Sequence, residues 1–163
     1  MADEAALTAL AAEIQIELVP PHTVRVNGAD VTDAIRATEV TASASVVAAI
    51  PGVRRAMVEK QRGIARTANV VMEGRDIGTV VFPEARVKIF LDADSGERVR
   101  RRAGEMPDVA PEQLAAQIEE RDARDRGRVD SPLVAAPDAC YLDSTGLSLE
   151  EVEEKILRKV NAV

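Results

Sequence analysis

Two segments of the chain concentrate the charged side chains best suited to binding and catalysis. The first is EGRDIGT, residues 73–79, in which two glycines allow tight turns around a charged pair. Arg75 offers a planar fork of donors that suits a phosphate, and Asp76 is an acceptor that could face another group. The same pattern also occurs as a plain turn with a surface Arg–Asp ion pair. The local pattern does not separate these two interpretations.

The second segment is ERDARDRGR, residues 120–128. On a helix, Arg121, Asp125 and Arg128 share one face because they are four and seven residues apart. Eight arginines balance eight acidic residues between positions 97 and 128, which excludes a polyanion-binding patch. The segment has no lysine, and arginine is the residue favoured for bidentate phosphate contacts. The alternative is a solvated helix with ion pairs along its surface.

Helices and a hairpin are predicted before these two segments. Residues 3–13 are rich in Ala and Leu and predict a helix. Apolar and polar residues then alternate over residues 14–26, across Pro20-Pro21, and Asn27-Gly28 closes a short hairpin. Residues 38–50 predict a small helical segment, and Pro51 begins a further helix.

Short apolar runs predict the strands that would position the charged segments. The runs at residues 69–72, 87–91 and 139–142 are separated by helices, which indicates a parallel sheet buried on both faces. The segment EGRDIGT follows the first run, at the strand end where open α/β sheets present ligand-binding residues. A helix is predicted over residues 111–126, and a capping box at Ser148 predicts the last helix, with Leu149, Val152, Ile156 and Val160 on one face.

Composition limits the class of protein. The 163 residues have the size of one domain, and 46% hydrophobic with 30% charged residues is typical of a globular protein. Two Phe, one Tyr and no Trp argue against base stacking, and a net charge of −7 argues against nucleic-acid or membrane binding. A single cysteine, Cys140, and an acidic start favour the cytoplasm. The isolated His22 and Cys140 predict no metal site.

Three segments together resemble the bacterial cytidylate kinase family of P-loop nucleoside monophosphate kinases. They are EGRDIGTVVFPEARVKIFL, IEERDARDRGR and YLDSTGLSLEEVEEKI, in the family's order and at similar spacing. The upstream stretch VRVNGADVTDAIRATEVTASASVVAAIPGVRRAMVEKQR is similar to the family's insert that closes over the monophosphate. The resemblance implies an α/β fold, with a parallel sheet, flanking helices, a helical and hairpin insert, and a lid.

The resemblance also implies roles for individual residues. Ser45, Arg121 and Asp125 match positions that contact the pentose, and Arg54 and Asp76 match positions that contact cytosine. A carboxylate beside a guanidinium can read the N4 amine and the N3 and O2 acceptors of cytosine. Arg75 and Arg128 match phosphate-binding positions, and Arg101 matches a lid arginine over the ATP phosphates. The catalytic residues implied are Arg101, Asp125 and Arg128.

One family feature has no counterpart in the sequence. No phosphate loop of the form GxxxxGK[ST] occurs, and the first lysine, Lys60, is followed by Gln61. We therefore expect a single kinase domain truncated at its N terminus, without its first strand and phosphate loop. Within it, residues 1–66 form the nucleotide-binding insert, residues 67–100 and 129–163 the core, and residues 101–128 the lid.

The resemblance implies the reaction ATP + CMP or dCMP to ADP + CDP or dCDP, with Mg²⁺, catalysed by a monomer. Phosphoryl transfer depends on positioning and electrostatics, so we expect poor activity from the 163 residues alone. The alternative hypothesis is a non-catalytic protein that binds or senses pyrimidine nucleotides.

Overall fold

The computed structural model of this chain describes residues 3–127 and 132–163. The chain divides into two compact units, Met1–Val71 and Met72–Val163. Each unit has its own small core of buried apolar side chains, which are Ala11 and Val53 in the first and Val81, Leu114, Ala136 and Val152 in the second. The predicted insert, residues 1–66, belongs to the first unit.

Two helices pack against each other in the first unit. Helix α1 spans Glu4–Glu13 and is capped by the Asp3 side chain, which accepts a hydrogen bond from the amide of Ala6. The longer of the two helices begins at Pro51 and ends at Ala65. Lys60 on this helix donates from Nζ to the carbonyl of Ala12 at 2.9 Å, so it satisfies an orphan acceptor at the end of α1.

A three-stranded antiparallel sheet follows α1 along the chain. Strands β1 (Ile16–Val19), β2 (Thr23–Val26) and β3 (Ala29–Asp30) pair in that order. The predicted hairpin is confirmed, with Ile16 opposite Val26. Asn27 and Gly28 have φ of 50° and 81° and join β2 to β3, as expected for a two-residue turn that needs two positive φ angles.

The α-helix α2 spans Thr38–Val47 and precedes α3 at Pro51–Ala65. Both helices were predicted. Arg54 on α3 donates from Nη1 to the carbonyl of Ala48 at 3.2 Å, at the C-cap of α2. This hydrogen bond ties the start of α3 to the end of α2.

The second unit is built around two parallel strands. Strands β4 (Ile89–Asp92) and β5 (Cys140–Asp143) pair in register from Ile89 opposite Cys140 to Asp92 opposite Asp143. Phe90 and Tyr141 stack on one face with ring centroids 6.0 Å apart. The parallel arrangement was predicted from the two apolar runs, and each strand begins one or two residues later than its run.

Three helices accompany this strand pair. Helix α4 spans Ser95–Glu105, α5 spans Pro111–Arg126, and α6 spans Leu149–Val160. The predicted capping box at Ser148 is confirmed, because its side chain and that of Glu151 bond reciprocally to the two backbone amides. No helix in the described ranges is long and apolar enough to cross a membrane.

The prediction of a strand at residues 69–72 is wrong. These residues form neither helix nor strand, and no strand in the described ranges pairs with them. A strand needs a neighbour for its ladder of hydrogen bonds, and an apolar run supplies only the side chains. Val71 is fully exposed as a result.

The prediction of a sheet buried on both faces is also wrong for β4 and β5. Leu91 and Tyr141, which lie on opposite faces, are each more than half exposed. A similar difference affects α6, where Val152 is buried but Leu149 and Val160 of the predicted apolar face are exposed. Apolar periodicity identifies the face that can be buried, whereas burial itself depends on a neighbouring element.

Candidate functional site

A buried carboxylate lies at the centre of the candidate site. Asp125, in the last turns of α5, is only 1% exposed. Its Oδ2 lies 3.1 Å from Nε of Arg75 and 3.9 Å from Nε of Arg121. The structure therefore brings together the two charged segments of the second unit, although fifty positions separate Arg75 from Asp125.

The two arginine side chains beside Asp125 remain partly exposed. The side chains of Arg75 and Arg121 are 37% and 54% exposed. A cluster of one carboxylate and two guanidinium groups has a net positive charge. The exposed part of each arginine can bind an anion or donate a hydrogen bond to a hydroxyl group. The geometry suits a ligand that carries both a phosphate and hydroxyl groups.

The backbone around Arg75 is held by an unusual turn. The carbonyl of Asp76 accepts a 2.8 Å hydrogen bond from the amide of Val80, and a π-helical turn follows at Ile77–Val81. A Cβ at Gly74 would lie 2.8 Å from Cγ1 of Ile77, so only glycine fits this close approach without a shift. Such π-turns are frequent at functional sites, and this one fixes the direction in which the segment leaves Arg75.

A second buried carboxylate, Asp122, was not singled out by the sequence. It is 5% exposed. Its Oδ2 accepts a hydrogen bond from Nη1 of Arg98 on α4 and lies 3.8 Å from Nη2 of Arg126. The interpretation of residues 120–128 as a solvated helix is therefore wrong for Asp122 and Asp125, although the Glu120–Arg124 pair on α5 does face solvent.

Arg101 bonds to groups within the second unit. Its Nε donates to Glu97 at 2.7 Å, its Nη1 to the hydroxyl of Ser144 at 3.0 Å, and its Nη2 to the Ser144 carbonyl at 2.6 Å. A hydrogen bond from Arg100 lowers the pKa of Glu97 to about 2, and Arg101 adds to this effect. In this conformation Arg101 joins α4 to the loop after β5, and its assignment as a lid residue stays a prediction.

Four more residues were predicted for the site. Arg54 is half-buried at the corner between α2 and α3 of the first unit. Ser45 lies within α2, and its side chain is outside the described part of the structure. Arg128 falls at residues 128–131, which are also outside it. Asp76 is half-buried in the second unit, at the start of the π-turn.

Two buried polar residues near the strand ends were also missed by the sequence analysis. Ser144, 1% exposed, donates from its hydroxyl to the carbonyl of Asp92 at 2.8 Å. The Lys88 side chain is buried and its Nζ lies 2.6 Å from Oδ2 of Asp138, which holds the pKa of that carboxyl below its usual value. Neither Ser144 nor Lys88 lies in a dense charged segment. Their contacts with Asp92 and Asp138 were therefore visible only in three dimensions.

The described residues do not form a metal centre. Among them, no group of three or more His, Cys, Asp and Glu side chains could hold a metal ion. In phosphoryl-transfer sites Mg²⁺ binds through one or two carboxylates together with substrate phosphates and water, so the Mg²⁺ that the resemblance implies needs no such group.

Comparisons with known proteins agree with the resemblance seen in the motifs. A family model described as cytidylate kinase matches residues 1–162. A curated cytidylate kinase from Solibacter usitatus is 59% identical over 159 residues, which cover 94% of this chain and 68% of that protein. A cytidylate kinase from Desulforamulus reducens is 49% identical over 161 residues, covering 95% of this chain and 72% of the relative.

A longer relative contains the same region as one part. The bifunctional pantoate ligase/cytidylate kinase of Synechococcus sp. (strain JA-3-3Ab) is 48% identical over 166 residues. The match covers 96% of this chain but only 31% of that protein. The chain thus spans about a third of the bifunctional relative and about 70% of the two single-function relatives.

Proposed function

Because this chain belongs to the cytidylate kinase family, we propose that it binds CMP and dCMP for phosphorylation by ATP. The products are ADP and CDP or dCDP. The alternative of a non-catalytic nucleotide-binding protein is not favoured, because the relatives named above are kinases. We propose that the protein acts as a monomer in the cytoplasm, without nucleic acid.

The observation that carries this proposal is the buried Asp125 between the half-exposed Arg75 and Arg121. In the proposed complex with CMP, Asp125 accepts a hydrogen bond from a pentose hydroxyl, and Arg121 donates to the same sugar. Arg75 binds the monophosphate, together with Arg128. Because Asp125 is ion-paired before the ligand arrives, the guanidinium groups are already oriented, which reduces the entropy lost on binding.

In the same proposal, two residues recognise cytosine and a further residue contacts the pentose. Asp76 accepts from the N4 amine of cytosine, and Arg54 donates to the N3 and O2 acceptors. Ser45 contributes a contact to the pentose. Uracil presents an oxygen in place of the N4 amine, so Asp76 would face a second acceptor and UMP would bind more weakly.

The ATP side depends on residues beyond those just described. We propose that Arg101 exchanges its bonds to Glu97 and Ser144 for the ATP phosphates, and that Arg128 stabilises the transferred phosphoryl group with Asp125 positioning the acceptor nucleotide. No GxxxxGK[ST] motif occurs in these 163 residues. We therefore propose that they lack the first strand and phosphate loop of the fold, and that alone they bind nucleotide better than they transfer phosphate.

Calorimetric titration with CMP, UMP, AMP and cytidine tests the binding proposal. We expect CMP to bind most tightly and Arg75→Gln to weaken CMP at least 10-fold while leaving cytidine nearly unchanged, because only CMP carries the phosphate. Arg158→Gln is the matched control, since Arg158 forms an exposed ion pair with Glu154 on α6. The proposal fails if the parent chain does not bind CMP at millimolar concentration or binds the three monophosphates equally.

A coupled assay with ATP and CMP separates binding from turnover. We expect negligible turnover from the 163 residues, because they contain no phosphate loop to cradle ATP. Robust turnover would contradict the account of the missing loop while leaving the binding proposal intact.

A further inference from the structure

Asp122 has no role in the site proposed above, yet it is one of two carboxylates that α5 buries. Its residue exposure of 5% is unusual for an aspartate, a residue type that is rarely buried unless paired. Removing a carboxylate from water is unfavourable, so a buried one needs compensating charges around it. Two arginines supply them.

The main partner of Asp122 comes from a different helix. Arg98 on α4 donates from Nη1 to Oδ2 of Asp122, and its side chain is 32% exposed. The second partner, Arg126, lies one turn along α5 with Nη2 3.8 Å from the same oxygen. The Arg98–Asp122 contact therefore joins α4 to α5, and the Arg126 contact is local to α5.

The two buried carboxylates of α5 point in neighbouring directions. They are three residues apart, so they lie about 60° apart around the helix axis. Asp122 joins α5 to α4 through Arg98, whereas Asp125 joins α5 to the turn that contains Arg75. Two contacts at different angles restrict rotation of α5 about its own axis more than either contact alone.

Rotation of α5 is the motion that would disturb the proposed site. Arg121 and Asp125 both lie on this helix, and productive geometry at a binding site tolerates only about 0.5 Å or 10–20°. A rotation of that size moves both side chains relative to Arg75. The Arg98–Asp122 contact would therefore affect nucleotide binding even though neither residue contacts the nucleotide.

We propose that Arg98 and Asp122 form a positioning pair that sets the rotation of α5 and so orients Arg121 and Asp125 toward the nucleotide. This inference rests on the proposed function. Asp122 acts through Arg121 and Asp125 and does not contact the ligand. The pair should therefore affect ligand affinity in a protein that is fully folded.

The test compares amide variants of two carboxylates on the same helix. Asp122→Asn removes the buried charge, and Glu120→Gln is the matched control because Glu120 forms an exposed ion pair with Arg124 at 2.6 Å. The dissociation constant for CMP is measured by calorimetry on the 163-residue chain. All proteins are measured at one temperature, chosen so that the unfolding curve of each protein shows a fully folded population. Differences in stability then do not affect the dissociation constants.

We expect Asp122→Asn to raise the dissociation constant for CMP at least 10-fold and Glu120→Gln to leave it within two-fold. A folded Asp122→Asn protein that binds CMP within two-fold of the parent overturns the positioning role. If the parent itself does not bind CMP, the proposed function and this inference fall together. If the parent binds CMP and the variant binds it equally well, the positioning role is wrong but the proposed function stands.

Two variants of the partner keep the test decisive if Asp122→Asn does not fold. Arg98→Lys keeps a cation opposite Asp122, whereas Arg98→Gln removes it. We expect Arg98→Lys to bind CMP within about three-fold of the parent and Arg98→Gln to bind at least 10-fold more weakly. Equal affinities for the two variants would show that the charge at position 98 does not orient the site.

Discussion

Replacement of Asp125 by Asn is the sharpest test of the buried ion cluster. The change keeps the shape of the side chain and removes its charge. Asp125 is 1% exposed, and its Oδ2 lies 3.1 Å from Arg75 and 3.9 Å from Arg121. After the change, the two guanidinium groups face each other without the carboxylate between them.

The expected magnitude follows from the burial of each partner. Removing one member of a fully buried ion pair costs about 3–5 kcal/mol, because an unpaired charge remains in the interior. Here the remaining charges can hydrate, since Arg75 and Arg121 are 37% and 54% exposed. We therefore expect the free energy of unfolding to fall by about 1–3 kcal/mol. For a urea slope of about 2 kcal/mol/M, the midpoint falls by about 1 M.

The sequence offers an intrinsic probe for this measurement. Tyr141 is the single tyrosine, and the chain has no tryptophan. It lies on β5, and its hydroxyl donates to Oδ2 of Asp92 at 2.8 Å, which raises the pKa of the tyrosine. Tyrosine fluorescence during urea unfolding therefore reports the unit that contains Asp125, whatever happens in the first unit.

The control is Glu154→Gln on α6. Glu154 and Arg158 form an ion pair of 2.6 Å with both side chains exposed. An exposed pair at this spacing contributes about 0.3–0.5 kcal/mol. If Asp125→Asn and Glu154→Gln lower the free energy of unfolding equally within experimental error, burial of Asp125 has no energetic consequence.

Three further predictions concern other parts of the chain. Asp76→Ala should weaken CMP binding about 10-fold by calorimetry, because one well-placed polar contact discriminates bases by about 1–3 kcal/mol; an equal loss for UMP would count against a cytosine contact. Glu97 has a folded pKa of about 2, below its ordinary 4.5, so the carboxylate stabilises the fold above pH 4.5 and loses this contribution as the pH falls toward 2. The stability difference between parent and Glu97→Gln, followed by Tyr141 fluorescence, should shrink over that range, and a difference that stays constant would contradict the assigned pKa. A Cβ at Gly52 would overlap the Thr8 side chain, so Gly52→Ala should destabilise the first unit by about 1–3 kcal/mol in thermal melts followed by circular dichroism. In a Thr8→Ala background only the Cβ of residue 8 remains, 3.0 Å from the added atom, so the same change should cost less. An equal loss in both backgrounds would exclude the clash.

The helices were predictable because their signals are local. Pro51 and Pro111 stand at the first positions of α3 and α5, and Ser148 caps α6. Each of these residues acts on backbone groups within one turn, so its effect can be read from neighbouring positions. The Asn27-Gly28 turn was predictable for the same reason, since positive φ is a property of the residues themselves.

The sheet was predicted less well because pairing is not local. The apolar runs at residues 87–91 and 139–142 contain the parallel strands β4 and β5. The run at residues 69–72 formed no strand in the described ranges. The three runs look alike in sequence. What separates them is a neighbouring strand, and the apolar run itself carries no information about one.

By itself, the sequence determined the family of this protein and the two charged segments that carry its proposed site. Residue types and spacing were sufficient there, because a motif is a local property of the chain. Only the tertiary structure decided that Asp122 and Asp125 are buried while Glu120 is not, and that Arg75 is paired with Asp125. The reason is physical: α5 exposes one face and buries another. The charge pattern alone does not say that the arginine nearest to Asp125 is the one fifty residues before it and not the one four residues before it.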